Sequence, residues 1–267
     1  MTPALPFDFA VTAALTLAAA ATTLGPMAVA VWWSKRSGVP MSVWGAGALV
    51  FIVSQCVLRL PWQIPLGMWV GPHLHGSRWL GFAWIAASAF TAGLFEEVGR
   101  WAGYRWLVKK ERSFRTGVMF GLGHGGVESM VLVGMTLFGT LATYVILVTA
   151  PSLLQLPPET LDKLVKTMSS LHAGDFVASS VERVMALTFH VACSLVVLQC
   201  FVRGSKWWVV LAVAMHFVAD FVAVGGAVEL KSYGTLVAET AGLPMFLVSI
   251  GVIAWAKRLP AAPSPAS

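Results

Sequence analysis

Residues 81–106 read GFAWIAASAFTAGLFEEVGRWAGYRW, an apolar run that ends in two adjacent glutamates with an arginine close behind. Fifteen residues without a charge precede Glu96 and Glu97, and Arg100 follows within one helical turn. Burying such charges in apolar surroundings costs several kcal/mol unless they are paired or have a function. The stretch therefore predicts a membrane-embedded helix with a functional site on it.

The composition of the whole chain is that of an integral membrane protein. Of the 267 residues, 57% are hydrophobic and only 11% are charged, and the mean hydropathy is +0.77. Soluble globular domains carry about 25% charged residues. The net charge of +6 comes mostly from short loops between apolar runs, which is typical of topology determinants. We therefore expect a multi-pass protein of the inner (cytoplasmic) membrane, surrounded by lipid and without a nucleic-acid partner.

Seven apolar segments are long enough to span a bilayer as helices, since a span needs about 20 residues. They predict an all-α transmembrane bundle that forms one domain over residues 1–258. The polar stretch 151–181 is expected to be an outer loop with a short amphipathic helix capped by Thr160, and residues 259–267 a disordered tail. The predicted spans are 9–33, 42–60, 78–99, 116–148, 182–202, 207–228 and 234–256.

Basic residues in the loops predict the orientation of the bundle. If the N-terminus lies outside, twelve lysines and arginines fall on the inner side and six on the outer side. The positive-inside rule then gives an N-out, C-in topology.

Ionisable residues recur within the predicted spans at helical spacing. Glu96 and Arg100 are four apart and share a helix face, while Glu97 is rotated by about 100° from Glu96. One glutamate can therefore pair with the arginine while the other points elsewhere.

Three histidines lie in other spans. The stretch FGLGHGGVES, residues 120–129, places His124 and Glu128 four apart on a glycine-rich face that another helix or an extended substrate can approach. His190 lies midway along the fifth predicted span, and His216 and Asp220 are again four apart. By helix rise, these groups and the glutamates all lie about 12–20 Å from the predicted cytoplasmic side. They can therefore converge at one depth.

Histidines and carboxylates from separate helices suit two chemistries. In hydrolysis, a carboxylate takes a proton from water while histidines, with or without a divalent metal, orient the water and stabilise the oxyanion. Three protein ligands are typical of catalytic zinc, and His124, His190 and His216, or His124, Glu128 and His216, would supply them. In transport, the same residues would relay protons or bind a cation.

The cysteines predict no site of their own. Cys56, Cys193 and Cys200 lie in apolar segments without CxxC spacing, so we expect small apolar helix residues rather than a disulfide framework or a thiolate metal site.

Taken in chain order, the motifs resemble those of the CPBP (Abi) family, which includes type II CAAX prenyl proteases. That family has EExxxR, FxxxH and HxxxN/D on three transmembrane helices. The chain resembles more closely the YhfC family of intramembrane metalloproteases, which share EExxR, GxGHGxxE and a further mid-helix histidine. The likeness covers residues 10–255, approximately.

This resemblance implies an intramembrane peptidase acting on a membrane-embedded or membrane-associated peptide, with zinc as the first candidate for a metal. Glu96 matches the catalytic glutamate that activates water, with Glu97 as the alternative. His124 and His216 match the histidines that hold the water or a metal. The base is then expected to meet the scissile bond in the cytoplasmic half of the membrane.

The remaining roles follow the same resemblance. Asp220 matches the last position of HxxxN/D, which would stabilise the oxyanion or orient the histidine, and Glu128 and His190 match positions particular to the YhfC pattern. Arg100 follows the glutamates one residue sooner than in EExxxR, which leaves open the glutamate that it neutralises. The wider family also includes scaffolds that cleave nothing, so a non-catalytic scaffold remains an alternative.

Overall fold

The structure, a computed structural model, describes residues 5–74, 76–109, 112–230, 237 and 240–259. Within these residues it is helical and has no strand, and seven segments are long and apolar enough to cross a membrane. The predicted all-α, seven-span bundle is therefore confirmed. Residues 260–267 of the predicted tail and 234–236 and 238–239 of the predicted seventh span lie outside the described residues.

The helices alternate with short irregular or π-helical segments. Two of the spans are each made of two α-helices that a π-helical segment joins, Ile52–Arg59 in the second span and Ser129–Gly134 in the fourth. The α-helices, in chain order, are α1 (Phe9–Ser37), α2 (Met41–Phe51), α3 (Leu60–Leu74), α4 (Arg78–Trp106), α5 (Phe114–Glu128), α6 (Met135–Thr149), α7 (Pro158–Ser169), α8 (Ala173–Val202), α9 (Trp207–Leu230) and α10 (Leu243–Lys257).

The second span is longer than its predicted bounds of 42–60. The helix continues as α3 to Leu74, with Pro65 and Pro72 inside it. A proline removes one backbone donor from a helix, but membrane helices tolerate this where neighbouring groups satisfy the freed carbonyl. The prolines therefore do not end the span where the sequence pattern suggested.

The predicted outer loop, 151–181, contains more helix than expected. The prediction of Thr160 as an N-cap is wrong, because α7 begins at Pro158, where the fixed φ and missing N–H of proline suit the first turn. The next helix, α8, begins at residue 173 because the Asp175 carboxylate accepts a hydrogen bond of 3.1 Å from the backbone N–H of His172. Leu161 of α7 is buried in a cluster with residues of α1 and α6, so α7 packs on one end of the bundle.

The central helix of the bundle is α8, which packs against α1, α4, α5, α9 and α10. Every residue from Phe189 to Cys200 is buried. Leu195 and Leu198 lie in a core cluster with Tyr104 and Phe120, whose rings stack with centroids 4.5 Å apart. This apolar core forms one side of the polar site.

Glycines on α5 bring three helix backbones into close contact. A Cβ on Gly123 would lie 2.0 Å from the Trp44 carbonyl oxygen of α2, and one on Gly121 would lie 2.6 Å from Cα of Val191 in α8. Of the two uses predicted for the glycine-rich face, close helix packing therefore accounts for it. The same packing buries His124 between α2 and α8.

Candidate active site

The structure brings the predicted polar residues of four helices into one buried cluster. Glu96, Glu97 and Arg100 come from α4, and the three histidines come from α5, α8 and α9; each of the six is at most 4% exposed. Ring centroids are 5.5 Å apart for His124 and His190 and 5.7 Å apart for His190 and His216. The six side chains therefore form one network rather than separate structural bridges.

Glu96 is at the centre of this network. Its Oε1 accepts a hydrogen bond from Nε2 of Gln55. Its Oε2 lies 2.9 Å from Nε2 of His124, 3.8 Å from Nδ1 of His190 and 3.8 Å from Nε2 of His216. One carboxylate oxygen is thus held in place, and the other faces three imidazoles.

Arg100 pairs more closely with Glu97 than with Glu96. Its Nη1 donates to Oε1 of Glu97, whereas its Nη2 is 3.5 Å from Oε2 of Glu96. Oε1 of Glu97 also lies 2.7 Å from Nδ1 of His216. Glu97 is therefore the glutamate that the arginine neutralises, which the sequence left open, and Glu96 remains free for the histidines.

The contact with Arg100 defines the tautomer of neutral His190. Nη2 of Arg100 lies 2.7 Å from its Nδ1, and a guanidinium can only donate. The ring proton of a neutral His190 is therefore on Nε2, which lies 2.5 Å from Oε2 of Glu128. The other oxygen of Glu128, Oε1, accepts a hydrogen bond of 3.4 Å from Nη1 of Arg183.

Asp220 lies at the edge of the cluster. Its Oδ2 is 3.6 Å from Nε2 of His216, and its side chain is 36% exposed, the largest value among the predicted site residues. This placement suits a group that meets a substrate or water more than one that holds the histidine.

Sequence reasoning missed Gln55 and Arg59. Arg59 counts among the six basic residues of the predicted outer side, but it is only 8% exposed. Its guanidinium donates hydrogen bonds of 3.0 Å to Oε1 of Gln55, 2.8 Å to the Ser88 carbonyl and 3.2 Å to Oγ1 of Thr91. Both lie in the π-helical segment of the second span, and such segments are frequent at functional sites. Their signal was a polar pair four residues apart within an apolar run.

Two cavities reach the cluster from the same end of the bundle. The larger, about 330 Å³, extends from Glu96 along α4 to Trp84 and along α9 to Val224. A smaller one, about 130 Å³, lies between α8, α9 and α10 and shares with it Glu128, His190 and Asp220. Both extend towards the end where α4 and α8 begin, which is the outer side in the predicted topology.

The other end of the cluster is covered by apolar side chains. Tyr104 and Phe120 lie on the side where α4 ends and α5 begins, together with Leu195 and Leu198 of α8. The sequence led us to expect access through the cytoplasmic half of the membrane. The cavities extend in the opposite direction, because the buried aromatic and leucine core fills the side towards the ends of α4 and α8.

Residues of the cluster fit a divalent metal in two groups of three. Potential ligand atoms lie within 4.8 Å of one another in Glu96, His124 and His190, and likewise in Glu97, Cys193 and His216. The predicted set of three histidines differs from both groups, because His216 falls in the second. Nδ1 of His124 and Oε2 of Glu97 are buried without a hydrogen-bond partner among the described residues.

Charge in the cluster and its two cavities permits a cation. Five described carboxylates face three guanidiniums, which leaves an excess of two negative charges when the histidines are neutral. The carboxylates most open to water are Asp220 and Glu182, 36% and 31% exposed, so a divalent cation would meet no net positive charge here. The carboxylates are Glu96, Glu97, Glu128, Glu182 and Asp220, and the guanidiniums are Arg59, Arg100 and Arg183.

Comparisons with known proteins identify the family of the chain. The chain is 23% identical over 218 residues to the uncharacterized membrane protein YhfC of Bacillus subtilis (strain 168), which covers 79% of this chain and 83% of the relative. No solved structure matches the chain. A model of the YhfC intramembrane metalloprotease family matches residues 21–236 and confirms the resemblance read from the motifs. The chain therefore belongs to the YhfC intramembrane metalloprotease family.

Proposed function

We propose that the chain is an intramembrane peptidase that hydrolyses a peptide bond in or near the membrane, with Glu96 as the base that activates water. The observation that carries this proposal is the position of Glu96 Oε2, which faces one histidine from each of three helices. A general base has to be held within reach of the water while donors lie beside the developing oxyanion. Glu96 and its neighbours meet both requirements.

The chemistry follows from these contacts. Glu96 takes a proton from water as the oxygen adds to the scissile carbonyl carbon, and a tetrahedral oxyanion forms. The same carboxyl group then gives the proton to the leaving nitrogen, the C–N bond breaks, and a carboxylic acid and an amine result. His216 lies beside this centre, with Oε1 of Glu97 at 2.7 Å from its Nδ1 and Oδ2 of Asp220 at 3.6 Å from its Nε2.

A divalent metal fits this proposal. The N and O donors of Glu96, His124 and His190 suit zinc, and His190 would offer a ring nitrogen by giving up its contact with Arg100 or Glu128. When bound there, such an ion would supply a Lewis acid that polarises the scissile carbonyl. Replacing Glu96 distinguishes two roles of its carboxylate. If the variant loses cleavage but still binds zinc, Glu96 acts as the base; if it loses both cleavage and zinc binding, Glu96 is a zinc ligand.

The substrate that we propose is a membrane-embedded or membrane-associated peptide. Both cavities extend towards the end of the bundle that the loop charges predict to be outside. We therefore propose a segment in the outer half of the inner membrane as the position of the scissile bond.

The transporter alternative has less support. Alternating access needs paths from the site to both sides of the membrane. The two described cavities that the cluster residues line extend to one end of the bundle, and a stacked pair, Tyr104 and Phe120, with the leucines of α8 covers the other end of the cluster.

Site variants in proteoliposomes test the proposal. The wild-type protein, reconstituted with a set of fluorogenic transmembrane peptides, is expected to cleave at least one of them. We expect Glu96→Gln, His124→Ala and His216→Ala each to lower the cleavage rate at least a hundredfold, because each removes a group at the reacting centre.

Two surface residues provide matched controls. Glu229→Gln and His73→Ala change the same residue types at exposed positions and are expected to keep the wild-type rate. A Glu96→Gln protein with full activity would exclude the mechanism. If no peptide is cleaved and every variant of the cluster abolishes a pH-gradient-driven flux, the protein is a transporter. If there is neither cleavage nor flux and the variants still bind a partner protein, it is a scaffold.

A further inference from the structure

A second group of possible metal ligands lies behind the first. Glu97 of α4, Cys193 of α8 and His216 of α9 have ligand atoms within 4.8 Å of one another, and their exposures are 0%, 0% and 2%. None of the three belongs to the group of Glu96, His124 and His190. The molecule therefore contains two adjacent sets of donors from different residues.

The second set differs from the first in its chemistry. It offers a thiol in addition to an imidazole and a carboxylate, a combination that soft or borderline divalent ions such as Zn²⁺, Co²⁺ and Cd²⁺ prefer. The expectation that Cys193 is a small apolar residue came from the lack of CxxC spacing. Spacing cannot reveal this group, because each donor comes from a different helix.

An unused oxygen of Glu97 points to the same conclusion. Its Oε1 accepts hydrogen bonds from Nη1 of Arg100 and Nδ1 of His216. Its Oε2 is buried and has no hydrogen-bond partner among the described residues. Buried carboxylate oxygens are nearly always paired with a donor, a water or an ion. Oε2 therefore remains as a ligand for an ion beside the thiol.

Charge in this region permits the binding. Arg100 offsets Glu97, and a thiolate at Cys193 adds one negative charge, which a divalent ion compensates. The thiol proton leaves to solvent when the sulfur binds the ion, as in other thiolate sites.

We propose that Glu97, Cys193 and His216 form a second site for a thiophilic divalent metal ion, next to the hydrolytic cluster. An ion there would engage Glu97 and His216, which also contact the residues around Glu96. On the proposed peptidase function, excess zinc would therefore inhibit cleavage through this site. The binding itself does not depend on that function.

Cobalt provides a direct test because a Co²⁺–thiolate bond gives a near-ultraviolet charge-transfer band. Metal-stripped, full-length protein in mild detergent is titrated with CoCl₂ under reducing conditions. We expect the band in the wild type and its loss in Cys193→Ser. His124→Ala should keep the band, because His124 belongs to the other group.

The other cysteines serve as matched controls. Cys56→Ser and Cys200→Ser remove thiols outside the proposed site and should leave the band unchanged. Glu97→Gln should weaken cobalt binding about tenfold or more, because it exchanges a charged ligand for a neutral one. The proposal is overturned if saturating cobalt gives no band in the wild type, or if Cys193→Ser retains it.

A second variant covers the case in which Cys193→Ser does not fold. In a protein with Cys56→Ser and Cys200→Ser, Cys193 is the one remaining thiol, so any cobalt–thiolate band must come from it. We expect this variant to show the band at full intensity, and its absence at saturating cobalt would contradict the site. A cobalt band without any peptidase activity would reject the proposed function alone, and cleavage without a band would reject this site alone.

Discussion

Replacing Gly123 by alanine tests the helix packing that holds the site together. The added Cβ would lie 2.0 Å from the Trp44 carbonyl oxygen and 2.8 Å from its carbonyl carbon. Contacts of a real Cβ are essentially never below 3.0 Å, so α2 and α5 would have to separate by about 1 Å. Because the obstacle is backbone rather than a flexible side chain, a rotamer change cannot relieve the clash.

The magnitude follows from the cost of overpacking. Extra methyl groups in a well-packed interior cost about 1–3 kcal/mol. For a domain of this size, 1 kcal/mol shifts the melting temperature by about 2–4 °C. We therefore expect Gly123→Ala to lower the melting temperature by about 2–12 °C, measured as loss of the monodisperse peak in fluorescence-detected size-exclusion chromatography after heating.

Gly139 provides the control. It lies within α6, and an added Cβ would have nothing within 4 Å, so Gly139→Ala gains about 0.5–1 kcal/mol of helix propensity without a clash.

Gly47→Ala tests the same interface from α2, since its Cβ would lie 2.1 Å from the Phe120 carbonyl oxygen. Combined with Gly123→Ala, it should cost less than the sum of the two, because one separation of the helices relieves both clashes.

The reasoning is refuted if Gly123→Ala melts at or above the temperature of Gly139→Ala. Additive effects of the two interface variants would show that they act at independent places, and would contradict a shared contact between α2 and α5.

Two further variants test the polar network. Arg100→Met should destabilise the protein by about 3–5 kcal/mol, because it leaves buried carboxylates without their partner. Arg78→Met is the control, because it removes an exposed ion pair with Glu229 that is worth under about 1 kcal/mol. Equal melting temperatures of the two variants would contradict the buried pairing. Gln55→Leu should lower kcat for peptide cleavage about 10–100-fold with little change in KM, because Oε1 of Glu96 loses the hydrogen-bond donor that positions it. A raised KM at unchanged kcat would instead place Gln55 in substrate binding.

The sequence by itself determined the class of fold. Long apolar runs in a chain with 11% charged residues require helices that satisfy their own backbone hydrogen bonds in lipid, so the seven-span bundle follows from composition and length. The cost of charges in such spans also singled out Glu96, His124 and His216, since an intramembrane ionisable group is retained for a function or a partner.

Contacts between helices were decided only by the tertiary structure. Spacing along one helix left open whether Arg100 pairs with Glu96 or Glu97, gave no sign that Gln55 orients Glu96, and could not bring Cys193 to Glu97. Each of these depends on the rotation and depth at which α2, α4, α8 and α9 pack, and a periodic pattern fixes neither. Close contacts of single glycines with facing backbones set those rotations, and so they set the geometry of the site.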